Sequence, residues 1–189
     1  MTASDRNART LQVAEKVAAA LSARGISTAV IGAIAAAVHG YVRSTDDVDL
    51  ASNVHPFHQL RPAAEAFRAE GLDVRFGEPD QDDPLGGVLT ITGEDFDPIQ
   101  VVNFLNPFAG GSALGREAIE TATPRALGSL AVVDLPHLIA LKIYAGGNAG
   151  ASDVLELLDR NPNADREAIL DVCARHGLAD DLERVLARK

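Results

Sequence analysis

An α/β (α+β) fold, with a mixed β-sheet flanked by helices and a C-terminal helical cap, follows from three features of the sequence. Short β-branched apolar runs alternate with helical patterns as far as Val133. A strand–glycine–helix–strand unit occupies Ala29 to Leu50. Three amphipathic stretches, Ala151 to Arg160, Asp165 to His176 and Ala179 to Ala187, end the chain and are separated by Asn, Pro and Gly. With 189 residues and 47% hydrophobic content, the chain can bury one substantial core. The expected division is an α/β core over 1–133 and a helical region over 134–189 packed on it as one compact unit.

Taken in order, Leu11, Ala14, Val17, Ala18 and Leu21 recur at helical spacing, which predicts a helix over Thr10 to Ala23 closed by Gly25. Ala29 to Ile31 reads as a buried strand. Gly32 breaks it, and Ala33 to Val38 reads as a tightly packed helix ended by His39-Gly40. His55 to Gly71 predicts a helix with Pro56 near its start. Its His55 and His58, three apart, read as surface or helix-end residues. Leu72 to Phe76 alternates as a strand, Glu78 to Gly87 is an acidic loop, and Val88 to Thr92 with Ile99 to Leu105 predicts a hairpin. Pro107 to Gly115 is a glycine-rich connector without the lysine of a P-loop. A short helix over Arg116 to Ala122 and a strand over Leu130 to Val133 precede a helix over Leu135 to Ala145, with Asp134 as its N-cap.

The chemistry concentrates in Asp47-Val48-Asp49-Leu50. On a strand alternate side chains share a face. Val48 and Leu50 therefore enter the core while Asp47 and Asp49 project together from the other side. Paired carboxylates on a rigid element repel unless a cation lies between them, so the pair reads as a divalent metal site. An EF-hand does not fit, because the next ligand position is Ala51 and no loop glycine follows. Just upstream, Gly32-Ala33 offers a strand–glycine–helix phosphate cradle. Lys142 is a lone cation in an otherwise apolar helical pattern.

The run Ile31-Gly32-Ala33, His39-Gly40, Arg43, Thr45, Asp47 and Asp49 resembles the core motif of the DNA-polymerase-beta-like nucleotidyltransferases. The likeness is greatest to the small bacterial branch that includes AbiEii-type abortive-infection toxins. The resemblance implies transfer of a nucleoside monophosphate from an NTP to a hydroxyl acceptor. It places Mg²⁺ (or Mn²⁺) on Asp47 and Asp49, and nucleotide contacts on Gly32, Ala33, Arg43 and Thr45. Thr45 orders the turn, and Lys142 fits the lysine of a later helix. Asp153 fits the second of two acids that follow that lysine; the first falls on Gly150. A third carboxylate is implied on a strand beside Asp-x-Asp, and the residue aligned with it is Asn103. Asp95 and Asp97 could substitute if their loop folds back. These departures support a second reading, a catalytically degenerate nucleotide-binding or toxin–antitoxin interaction module.

The net charge of −10 argues against broad contact with a nucleic-acid backbone. Seven acidic and no basic side chains lie between Glu78 and Asp97, which favours a small-molecule or protein hydroxyl over RNA as acceptor. Cys173, the single cysteine, excludes an internal disulfide and fits a buried thiol in a reducing cytoplasm. The N-terminus lacks the apolar core of a signal peptide, and no run is long enough to span a membrane.

Overall fold

The computed structural model describes residues 3–109 and 112–188. In chain order the elements are α1 (Ala3–Ser22), β1 (Ala29–Val30), α2 (Gly32–Val38) and β2 (Val48–Ser52). A π-helical turn (Pro56–Leu60) leads into α3 (Arg61–Ala69), β3 (Asp73–Gly77), β4 (Val88–Thr92) and β5 (Ile99–Asn103). Then come α4 (Ala113–Glu120), β6 (Thr123–Pro124), β7 (Ala131–Val132), α5 (Leu135–Ala145), α6 (Gly147–Arg160), α7 (Arg166–Arg175) and α8 (Ala179–Leu186). The seven strands form one mixed sheet in the order β3-β4-β5-β2-β1-β7-β6.

The centre of this sheet fixes the site. β2 runs parallel to β5 and antiparallel to β1, so both sides of β2 are paired. Val48 and Leu50 are buried, which commits one face of β2 to the core and leaves Asp47 and Asp49 on the other. α1, α2 and α4 pack on β2, and α5 packs against α2, α4, α6 and α7. Apolar residues from the sheet, from α1 and from α5 to α8 belong to one contiguous cluster, with Cys173 fully buried within it. Burial pushes the Cys173 thiol up to about 11, so it stays protonated and inert.

Several boundaries differ from the sequence reading for local reasons. α1 begins at Ala3 rather than Thr10, and its early polar turns are tied to the hairpin loop through Arg6–Asp97 and Arg9–Asp95 ion pairs. The stretch expected as one helix from His55 splits into the π turn and α3, because Pro62 has no N–H to continue an α-helical ladder. There the two histidine rings stack 4.2 Å apart. β6 has only two residues, too few to leave a periodic signal. Gly110 and Gly111 of the glycine-rich connector lie outside the described residues. Among the described residues, no helix is long and apolar enough to cross a membrane.

Candidate functional site

Asp47 and Asp49 flank Val48 at the start of β2, and both are half-buried. Thr45 Oγ1 donates to Asp47 Oδ1 at 2.7 Å, and Gln100 Nε2 donates to Asp47 Oδ2 at 3.0 Å. Thr45 thus orders the turn into β2, as its place in the sequence suggests. No hydrogen bond reaches the Asp49 carboxylate from the described residues. Burial first, and then the neighbouring Asp47 charge, push its pKa up to about 6, against the pull of Lys142 and Arg43.

Gly32 explains how the chain approaches this carboxylate. Its φ is +66°, a conformation open to glycine, and a Cβ built there would overlap the Asp49 carboxylate. Ile31 N donates to Asp49 O at 3.0 Å, so the turn into α2 is stitched to β2 beside the acid. Ala33 follows as a buried residue in the first turn of α2, an end without a side-chain cap.

Asn103 is not brought to this face. It pairs with Ser52 across the β2–β5 ladder, and by the two-residue alternation of strands that register puts it on the opposite side from Asp49. Its buried amide donates to the carbonyls of Val54 (2.8 Å), Gly86 (3.1 Å) and Leu105 (3.2 Å). Its oxygen accepts from Val54 N at 2.9 Å and Ser52 Oγ at 3.2 Å. Asn103 is therefore a structural clamp, and the sequence-derived assignment of it as a weak metal ligand is corrected. The residue of β5 in register with Asp49 is Gln100. Asp97 lines a small pocket together with Asp47 and Thr45, where Arg6 Nε and Thr10 Oγ1 engage its carboxylate.

Arg43 and Lys142 meet at a single acid. Lys142 Nζ lies 2.6 Å from Asp153 Oδ2, and Arg43 Nε lies 3.3 Å from Asp153 Oδ1. The Asp153 side chain is 7% exposed and that of Lys142 12%, while Arg43 remains 39% exposed. Asp153 thus holds the two cations that lower the Asp49 pKa. Gly150, where the resemblance implies an acid, is a packing position: a Cβ there would lie 2.6 Å from Lys142 O. The closeness of α6 to α5 excludes a side chain at that point.

Lys142 and Asp49 open onto a cleft of about 400 Å³. Gly32, Asp49 and Lys142 form one end, and Val102, Leu138 and Tyr144 contribute an apolar wall. Asp83 to Leu85 of the acidic loop close another side. Two buried asparagines anchor that loop through main-chain atoms: Asn103 holds Gly86 O, and Asn106 Nδ2 donates to Asp80 O (2.8 Å) and Asp83 O (2.6 Å).

The donor set suits a hard divalent cation, since it consists of carboxylate oxygens, one of them without a hydrogen-bond donor. Among the described residues, no three His, Cys, Asp or Glu side chains converge on a common point. The centre is therefore a two-carboxylate one, set beside a cleft large enough for a small organic ligand.

No protein-family model matches the chain, and no curated protein matches it by sequence. Solved structures do match. The solution structure of the antibiotic-resistance factor ANT(2'')-Ia superposes with a TM-score of 0.54 at 18% identity, covering 97% of this chain and 100% of that one. The crystal structure of ANT(2'')-Ia in complex with adenylyl-2''-tobramycin gives 0.52 at 17% identity, over 88% and 96%. An antigenic nucleotidyltransferase-like protein from Paracoccidioides brasiliensis gives 0.50 at 14% identity, over 100% and 95%. At these identities the likeness is one of architecture, and the mixed sheet with its flanking helices and helical cap has the nucleotidyltransferase fold.

Proposed function

We propose that this protein transfers a nucleoside monophosphate from a nucleoside triphosphate to a hydroxyl acceptor. The observation that carries the reading is the Asp49 carboxylate, buried beside Asp47 with no hydrogen-bond donor among the described residues and with the Gly32 backbone against it. Asp47 and Asp49 would hold Mg²⁺ or Mn²⁺. Bound there, the ion supplies neutralisation of charge on the phosphate oxygens.

The chain's own residues do the rest. Phosphoryl chemistry needs chiefly positioning and charge stabilisation. Gly32, lacking a Cβ, lets the backbone and the first amides of α2, Ala33 included, approach phosphate oxygens. Arg43 and Lys142, oriented by Asp153, add positive charge beside them. The apolar wall of Val102, Leu138 and Tyr144 excludes water from the sugar and base. The reaction forms a bond between the acceptor oxygen and the α-phosphorus, breaks the bond to the β-phosphate, and releases pyrophosphate and a proton.

The nucleotide and the acceptor are the partners this reading requires. In the ANT(2'')-Ia complex the adenylyl group is carried by tobramycin. Here the acidity of residues 78–97 favours a small molecule or a protein hydroxyl over RNA. The AbiEii-type branch and a toxin–antitoxin partner rest on the sequence resemblance alone.

Isothermal titration with each of the four nucleoside triphosphates, in Mg²⁺ and again in EDTA, tests the proposal. Metal-dependent binding by the wild type, abolished in Asp49→Asn, is the expected result. That variant keeps the side chain's shape and removes a buried like-charge pair, so it folds. Binding that survives in EDTA or in Asp49→Asn, or no binding of any nucleotide, overturns the reading.

A further inference from the structure

We infer that this centre takes up one divalent cation per bound nucleotide, and that Gln100 sets that number. The inference rests on the nucleotide-binding reading above and concerns how many cations the same face can hold.

Gln100 pairs with Asp49 in the parallel β2–β5 ladder, so its side chain rises from the same face of the sheet. The next residue on that face, Val102, lines the cleft. Gln100 is therefore the position on β5 from which a side chain reaches the carboxylate pair, and it does so with an amide N–H, 3.0 Å from Asp47 Oδ2. With its N–H turned to Asp47, the Gln100 amide brings no negative charge to a second cation and at most a neutral carbonyl oxygen. It also fixes the Asp47 carboxylate from one side while Thr45 Oγ1 fixes it from the other at 2.7 Å. Gln100 is thus a positioning residue for Asp47.

Charge leads to the same number. Asp153 is committed to Arg43 and Lys142, and Asp83, which lines the same cleft, lies on the loop at its other side, so Asp47 and Asp49 are the carboxylates that the strand face offers. Two divalent ions about 4 Å apart repel each other four times as strongly as two unit charges at that separation. Such a pair needs carboxylates that bridge and flank it. Among the described residues no third acid or imidazole converges there, and Asp97 is held by Arg6 and Thr10. One cation matches the two carboxylate donors that the face presents.

The consequence is specific. The attacking hydroxyl has no second cation to acidify it, so the wild-type centre holds nucleotide well and transfers it slowly. Gln100→Glu has the same length and places a carboxylate oxygen where the amide nitrogen now is, which creates the missing ligand.

The test counts Mn²⁺ and nucleotide retained by the protein in equilibrium dialysis with a non-hydrolysable α,β-methylene triphosphate. The expected ratio of Mn²⁺ to nucleotide is one for the wild type, one for Gln100→Ala and two for Gln100→Glu. Gln100→Asp serves as the second variant, with thermal melts confirming that each is folded. A ratio of two in the wild type, or of one in both acidic variants, overturns the inference while leaving the nucleotide site standing. Failure of the wild type to retain any nucleotide instead overturns the reading beneath it.

Discussion

Asn103→Asp is the substitution that separates the sequence alignment from the structure. If Asn103 were a degenerate metal ligand, a carboxylate there would strengthen cation binding. The structure expects damage instead. The Asn103 amide donates to three carbonyls, of Val54, Gly86 and Leu105, and is fully buried. A protonated carboxyl can donate only one hydrogen bond, so two carbonyls lose their donor at about 1 kcal/mol each. Three carbonyl oxygens and burial hold the folded pKa of the new group above its unfolded value of about 3.9. The folded state then binds more protons than the unfolded state, so stability falls as pH rises. The slope approaches about 1.4 kcal/mol per pH unit between the two pKa values. A folded pKa about 2 units up adds about 2.7 kcal/mol at neutral pH to the two lost bonds, a total of about 4–5 kcal/mol, or a melting temperature lower by about 10–20 °C in a chain of this size. Urea denaturation and thermal melts at pH 4.5 and 7.5, with Mn²⁺ titration of the folded fraction, measure it. A variant as stable as the wild type at both pH values, or one with tighter Mn²⁺ binding, refutes the placement of Asn103.

Two further outcomes follow from the geometry. Gly32→Ala forces a left-handed backbone on a residue with a Cβ, at about 1–2 kcal/mol, and drives that Cβ into the Asp49 carboxylate. Calorimetry should show nucleotide affinity reduced at least tenfold, and unchanged affinity would remove Gly32 from the site. The second concerns pH and the cluster joining α4, α5 and α7. Burial lowers the His137 pKa, but Asp134 at 2.7 Å and Glu117 at 3.7 Å outweigh it and raise the value overall. Its contribution is therefore full below about 6.5 and lost as pH rises through the raised value. Glu117 is held down to about 2, chiefly by Arg175, with burial opposing and His176 assisting. Its contribution is present above about 4.5 and lost as pH falls towards 2. Above about pH 6.5 the unfolding free energy from denaturant melts should fall, and His137→Gln should flatten that alkaline limb; at lower pH the raised Asp49 value of about 6 opposes the Glu117 trend, costing stability as pH rises from about 3.8 to 6. An alkaline limb that persists in His137→Gln would refute the assignment.

What the sequence made legible was what depends on neighbours along the chain. α5 was readable to the residue, because Asp134 caps it and Pro136 is tolerated in its first turn; the structure adds Gly146 as its C-cap. β4 was equally plain from alternation bounded by glycines. The face shared by Asp47 and Asp49 followed from strand parity; the family resemblance singled out Lys142 and Asp153 separately, and their ion pair is a finding of the structure. The identity of the residue beside them did not, since it depends on the β2–β5 register, which is a long-range pairing. A signal for Gln100 was nonetheless present: in Ile99-Gln100-Val101 the flanking residues are apolar and Gln100 is the one that must face away from the core. Asn103 shares the parity of Ile99 and Val101, and that alone placed it inward. The cleft wall could not be read, because Val102, Leu138, Tyr144 and the Asp83–Leu85 loop converge only in three dimensions.

The two asparagine anchors of the acidic loop also bear on how such a pocket can diversify. Every bond that Asn103 and Asn106 make to the loop ends on the main chain, at Asp80, Asp83 and Gly86. The frame is thus blind to the side chains it carries. Pro84 can be exchanged without touching those bonds, whereas Asp83 Oδ1 also braces the turn by accepting from Leu85 N at 2.8 Å and Leu85 packs on the core; Asp47 and Asp49 meanwhile stay fixed on a different element. Under the proposed function, the loop that would meet the acceptor and the carboxylates that would hold the metal are mounted on separate parts of the molecule.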